Sequence, residues 1–113
     1  MREGNSGSLS ISIDQGDDQL VVTPVGEIDL STSPQLRQTL QTVLVDGDTT
    51  VVVDLAEVPY MDSSGVATLV EALQICLRQH RELVLARLST RVESIFKISK
   101  LDTVFTIRDD LDD

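Results

Sequence analysis

The chain has 113 residues, of which 41% are apolar and only 3% aromatic, and its 19 acidic against nine basic side chains give a net charge of −10. That length suits one domain with one core, and the scarcity of rings leaves Val, Leu and Ile to build it. An acidic chain with few aromatic platforms repels phosphate backbones and anionic membranes, which sets aside nucleic-acid binding and lipid adsorption.

Residues 1–8 are polar, lack the apolar stretch of a signal peptide and read as a flexible leader. Leu9–Ile13 alternates between apolar and polar residues, as a half-buried strand does. Turn residues at Gln15–Asp18 lead into a second strand over Leu20–Val25, so a hairpin is expected, with Pro24 at an edge or bulge because it lacks a ladder donor. Ser33 and Pro34 then open a helix, serine as its cap and proline at its first position, with Leu36, Leu40, Val43 and Leu44 following at helical spacing. The β-branched run Thr50–Leu55 predicts a central strand covered on both faces. A longer helix begins near Asp62, with Val66, Leu69, Val70, Leu73, Cys76 and Leu77 as its apolar stripe. Leu83–Ala86 is a further buried strand. Ser89 or Thr90 caps a third helix with Val92, Ile95, Phe96 and Ser99 facing inward, and Val104–Ile107 is a last short strand before an acidic tail at 109–113. The order ββαβαβαβ predicts one α/β domain over 9–108, a mixed sheet with helices packed against it.

Catalysis needs a constellation that these residues do not form. The one histidine, His80, sits near the end of the second helix beside Arg78 and Arg81, where it reads as a favourable C-terminal charge or a solvated residue. Cys76 lies on the apolar stripe as a small core residue, and a single cysteine excludes an internal disulfide. Neither residue has a second His or Cys for a zinc site or a Cys–His pair, and no glycine-rich phosphate loop is present. Asp29 and Asp62, each just past a strand, are the candidates for acid–base work, but nothing supplies a substrate pocket. No catalytic residue, metal or cofactor is therefore expected. No apolar run approaches the roughly 20 residues of a membrane span, so the protein is expected in the cytoplasm without membrane insertion. The negative charge is uneven. Residues 1–76 carry 12 acidic side chains against Arg2 and Arg37, whereas residues 77–113 carry seven of each sign. Either the excess serves solubility alone, or the amino-terminal two-thirds faces a basic protein surface.

The segment Tyr60-Met61-Asp62-Ser63-Ser64-Gly65 stands out, because it follows a buried strand and a short loop and opens the longest helix. Asp62 or Ser63 is placed to cap that helix. Gly65 costs about 1 kcal/mol against alanine inside a helix, so its use is expected to be close approach by another backbone or a partner. A phosphate on Ser63 would meet the positive end of the helix and add roughly −1.5 to −2 charges to an acidic surface, repelling a docked protein without unfolding the helix.

At these residues the chain resembles the STAS domain family, named for sulfate transporters and anti-sigma factor antagonists, and within it the stand-alone bacterial antagonists. Val25-Gly26-Glu27-Ile28-Asp29 resembles the family's Gly-Glu-Leu-Asp segment; Val51–Leu55 followed by Val58–Gly65 resembles its strand and phosphorylation loop; Leu83–Leu85 fits its next strand; and Arg91 through Phe105 resembles its final helix and strand. Ala67 and the segment His80-Arg81-Glu82 stand where the family often carries glycines. The resemblance implies a partner switch. The unphosphorylated antagonist binds an anti-sigma factor that is also a serine kinase of the GHKL type, the kinase releases it by phosphorylating the serine after the aspartate, and a PP2C-type phosphatase restores it. Carried over, the acceptor is Ser63, with Ser64 ranked second, and the partner surface comprises Asp29, Tyr60, Met61, Asp62, Ser63, Ser64 and Gly65 on a monomer. The alternatives are a non-phosphorylated STAS adaptor subunit of a transporter or other complex, in which Ser63 is only a cap, and a small-ligand or nucleotide sensor.

Overall fold

Val51, Val52 and Val53 are fully buried at the middle of a five-stranded sheet, in a computed structural model that describes residues 8–111. The elements are β1 (Ser10–Gln15), β2 (Gln19–Val25), α1 (Ser33–Val43), β3 (Thr50–Asp54), α2 (Ser63–Arg78), β4 (Leu83–Ala86), α3 (Thr90–Ile98) and β5 (Thr106–Arg108). This is the order ββαβαβαβ expected from the sequence. The strands lie in chain order, β1 antiparallel to β2 and the rest parallel. Such pairing requires a crossover between successive parallel strands, and each helix is one. Most of the expected leader, residues 1–7, and the last two residues of the expected tail lie outside the described residues.

The period-two alternation of the strands decides what each helix packs against. Leu20, Val22, Val51, Val53, Leu83 and Leu85 point to one face. There they meet Leu36 and Leu40 of α1, Leu69 and Cys76 of α2, and Val92 and Phe96 of α3 in a single cluster. All three helices therefore cover the same face. On the other face Val52, Val84 and Ala86 are buried with Val21 and Leu111 against them. Phe96 and Phe105, the only phenylalanines, close the β5 side with ring centroids 5.5 Å apart at 88°, the edge-to-face geometry that aromatic quadrupoles favour. Cys76 is buried on this face, and burial pushes its thiol pKa up. Because each helix runs back along the sheet, all three start at the carboxyl ends of the parallel strands. That end collects the loops at 26–32, 55–62 and 87–89.

Several local expectations change. Ser33 does not cap α1; it is the first helical residue, and Thr32 precedes it without making a side-chain cap bond, because the Thr32 hydroxyl turns back to donate to the Glu27 carbonyl at 2.9 Å. Pro24 is in β2, an interior strand, but β3 pairs only with Gln19–Val22, so the proline stands where β2 has outrun its neighbour. Leu77 is 63% exposed and Ser99 is exposed, both beyond the turn that their helix buries. The last strand begins at Thr106 rather than Val104, because Val104 and Phe105 donate their N–H groups to the Leu101 carbonyl in a turn. His80 and Arg81 part company. His80 is exposed and takes the left-handed conformation (φ 56°) that helix ends usually give to glycine. Arg81 is buried and donates to the Thr49 carbonyl at 2.8 Å, the Thr49 hydroxyl at 3.0 Å and Gln79 Oε1 at 3.0 Å.

Candidate functional site

Two chain segments lie side by side at the carboxyl end of the sheet. Ile28 and Met61 form a parallel bridge, with the Ile28 N–H donating to the Tyr60 carbonyl and the Asp62 N–H to the Ile28 carbonyl, each at 3.0 Å. Both bridge residues are fully buried. Apolar side chains at alternate positions thus fasten the polar residues between and beyond them, Asp29 on one segment and Asp62, Ser63 and Ser64 on the other.

Asp62 is the N-cap of α2, in extended conformation, with its Oδ1 accepting from the Ser64 N–H at 2.9 Å and from the Ser64 hydroxyl at 2.5 Å. Its Oδ2 reaches the other segment and accepts from the Leu30 N–H at 3.2 Å. One carboxylate therefore starts the helix and ties the two loops together. Ser64 is half-buried with its hydroxyl occupied, whereas Ser63, the first residue of α2, is exposed and its hydroxyl has no partner among the described residues. Beside Ser64 a groove of about 220 Å³ runs between α1 and α2, lined by Ser33, Pro34, Ala67 and Thr68 and bridged by the Arg37–Glu71 ion pair at 2.8 Å.

Asp29 organises its own turn. Its Oδ1 accepts from the Ser31 hydroxyl at 2.7 Å, the Ser31 N–H at 2.9 Å and the Thr32 N–H at 3.2 Å. These bonds, the Ser31 hydroxyl first, hold its carboxyl below the ordinary aspartate range. The bonds form to the ionised group, so their stabilisation is complete above the unfolded pKa and is lost as pH falls through the folded one. We expect urea midpoints of the wild type to decline below about pH 4 and those of Asp29→Asn to decline less steeply over that window, with parallel acid limbs counting against this role.

Tyr60 is half-buried, and the Arg91 guanidinium at the start of α3 lies 5.3 Å from its ring centroid, within cation–π range. Of the residues expected on the partner surface, the structure brings all seven together, but Met61 and Gly65 are buried. The close approach at Gly65 is made by the chain itself, since a Cβ there would stand 2.5 Å from Met61 Cγ and 2.7 Å from Ile28 Cγ2. These two residues support the surface from beneath, and Asp29, Tyr60, Asp62, Ser63 and Ser64 form what is reachable. Three features escape the sequence. The Asp29–Thr32 turn could be read from the Asp-x-Ser-Thr pattern, which suits an aspartate bonding to N–H groups two and three residues on. The Arg91–Tyr60 contact has no sequence signal across 31 positions. Leu30, for which the sequence sets no expectation, is 78% exposed. Among the described residues no cluster of three or more His, Cys, Asp or Glu could hold a metal ion, and no helix is long and apolar enough to cross a membrane.

Residues 10–113 match the STAS domain. The anti-sigma-B factor antagonist of Listeria monocytogenes serovar 1/2a is 34% identical over 102 residues, covering 89% of this chain and 90% of that protein. Among solved structures, an anti-sigma factor antagonist from Mycobacterium paratuberculosis superposes with a TM-score of 0.86 at 23% identity, over 96% of this chain and 92% of that one. The phosphorylated form of the Bacillus cell fate determinant SpoIIAA superposes with a TM-score of 0.68 at 20% identity, over 87% and 90%. At these identities the two structures speak for the fold.

Proposed function

We propose that this chain, which belongs to the STAS domain family, is an anti-sigma factor antagonist whose hold on its partner is switched by phosphorylation of Ser63. In this reading the unmodified protein binds and sequesters an anti-sigma factor that is a GHKL-type serine kinase, phosphate on Ser63 releases it, and a PP2C-type phosphatase resets the switch. The observation that carries the reading is the contrast between neighbouring hydroxyls. Ser63 is exposed and unengaged at the first position of α2, whereas the Ser64 hydroxyl is consumed by Asp62. A phosphate on Ser63 would sit at the positive end of a 16-residue helix, where it is tolerated structurally. It would add roughly −1.5 to −2 charges next to Asp62, so that a basic docking surface meets a changed field while the fold stays as it is. The relative from Listeria monocytogenes carries the name of an antagonist over nearly its whole length, and one structural neighbour is a phosphorylated protein.

The test is a binding titration with the cognate kinase. Ser63→Ala is expected to bind as tightly as the unmodified chain, and Ser63→Asp about tenfold or more weaker, a difference of about 1.4 kcal/mol. Equal binding by the two variants would remove the switch. Mass spectrometry after incubation with kinase and ATP is expected to find one phosphate on the wild type and on Ser64→Ala, and none on Ser63→Ala. A chain that stays unmodified and co-purifies with a transport subunit would instead be an adaptor.

A further inference from the structure

We infer that Leu30 is the apolar anchor of the docking surface, and that it inserts into a shallow apolar pocket, ringed by arginine and lysine, on the partner protein. The inference rests on the reading above and adds a residue that the sequence does not mark. An exposed leucine is ordinary by itself. This one differs from the exposed Leu77 and Ile98 in how it is held and where.

Leu30 is 78% exposed, yet its backbone is fixed. Its N–H donates to Asp62 Oδ2 at 3.2 Å, the same carboxylate that caps α2 and fixes Ser64. On either side of it, Asp29 accepts three bonds from Ser31 and Thr32, and Thr32 is buried with its hydroxyl bonded to the Glu27 carbonyl. A side chain that projects from so constrained a turn surrenders little backbone freedom on binding, which is what a preorganised contact requires. Ile98, at 82% the most exposed of these apolar residues, and Leu77, at 63%, stand in contrast in the last turns of their helices, at the far end of the molecule from Ser63.

The surroundings select the partner's chemistry. Asp29 precedes Leu30 and Asp62 accepts its N–H, while of the basic residues towards this end of the sheet Arg37 is paired with Glu71, Arg87 is paired with Asp54 and Arg91 lies over the Tyr60 ring. A second copy of this chain would bring the same carboxylates against these, and like charges across an interface oppose docking. A complementary surface carries cations around an apolar depression, the arrangement of a buried anchor inside a polar rim. The position also places the anchor within one hydrogen bond of the residue that precedes Ser63, so the apolar contact and the charge switch fall under one footprint.

The test compares Leu30→Ala, Leu77→Ala and Ser63→Asp with the wild type in titrations against the cognate kinase, after equal thermal midpoints have shown that each variant is folded. Full burial of a leucine corresponds to about a 10- to 100-fold loss of affinity when it is truncated, so Leu30→Ala is expected to bind that much more weakly and Leu77→Ala like the wild type. Leu30→Met, which keeps the apolar volume, is expected to restore most of the affinity. If Ser63→Asp loses binding while Leu30→Ala keeps it, the anchor is overturned and the switch stands. If Leu30→Ala loses binding while Ser63→Asp keeps it, the anchor stands and the switch falls. Equal losses for Leu30→Ala and Leu77→Ala overturn a localised anchor, as does a Leu30-dependent self-association of the chain in sedimentation with no Leu30 effect on the kinase.

Discussion

Replacing Gly65 by alanine is expected to cost the domain about 2 kcal/mol and to weaken partner binding, although the residue is buried. Helix propensity alone predicts the opposite, since alanine is favoured over glycine by about 1 kcal/mol in a helix interior. The packing decides. The new Cβ would stand 2.5 Å from Met61 Cγ and 2.7 Å from Ile28 Cγ2, and both of those side chains are fully buried. Neither atom is the free end of a long chain, so relief requires the Ile28–Met61 bridge and α2 to move apart. That bridge carries Asp29 and Asp62 to the surface, so a shift there displaces Ser63 as well. For a domain of this size the thermal midpoint should fall by about 10 °C. A double variant with Met61→Ala, which removes the nearer clashing atom, should lose less than the sum of the two single changes. Additive losses, or an unchanged midpoint in Gly65→Ala, would refute the steric account.

Arg81→Ala is expected to lose about 3 kcal/mol of unfolding free energy, read from urea titrations. The guanidinium is buried between the end of α2 and the loop before β3, with its fork spread over the Thr49 carbonyl, the Thr49 hydroxyl and Gln79 Oε1. Removing it strands acceptors that water reaches poorly. Arg81→Lys should recover little, because an ammonium cannot span the geometry of the fork. Gly47 belongs to the same arrangement. It adopts φ 139°, and a Cβ on it would lie 2.9 Å from the Arg81 guanidinium. A loss below about 1 kcal/mol in Arg81→Ala would mean that the cluster is solvated in solution.

The layering was legible because it follows from spacing. Valines at 51–53 announced a strand buried on both faces, and the stripe from Val66 to Cys76 announced the helix that covers it. The start of α2 at Asp62 was legible for the same reason, since a polar tetrad between a buried strand and an amphipathic helix reads as a helix start. What escaped the sequence depends on contacts between distant segments. Asp62 was readable as a cap from its neighbours, but its second oxygen bonds a residue 32 positions away. Gly65 signalled close approach, and only the fold shows that Met61 and Ile28 are what approach it. Ser33 looked like a cap on local grounds, and it gave way because Asp29 already organises the turn before it. Arg81 looked like one more charge at a helix end, and the loop folding over it made it an interior residue.

The strand register has a practical consequence for anyone attaching something to this protein. Ser10 at the start of β1 faces Val25 at the end of β2, and Arg108 at the end of β5 faces Ala86 at the end of β4. The amino-terminal end of the described chain therefore emerges at the same pole as Ser63, whereas beyond Arg108 the chain turns so that Leu111 packs on the sheet face away from the helices. An affinity tag, fluorophore or surface tether joined just ahead of β1 starts from this pole and can mask the Ser63 surface or feign a release. The opposite pole offers the exposed hairpin turn at Gly16–Asp18 and the exposed Asp46–Asp48 loop. A probe placed at the hairpin turn, one sheet length from the serine, leaves the Ser63 pole clear.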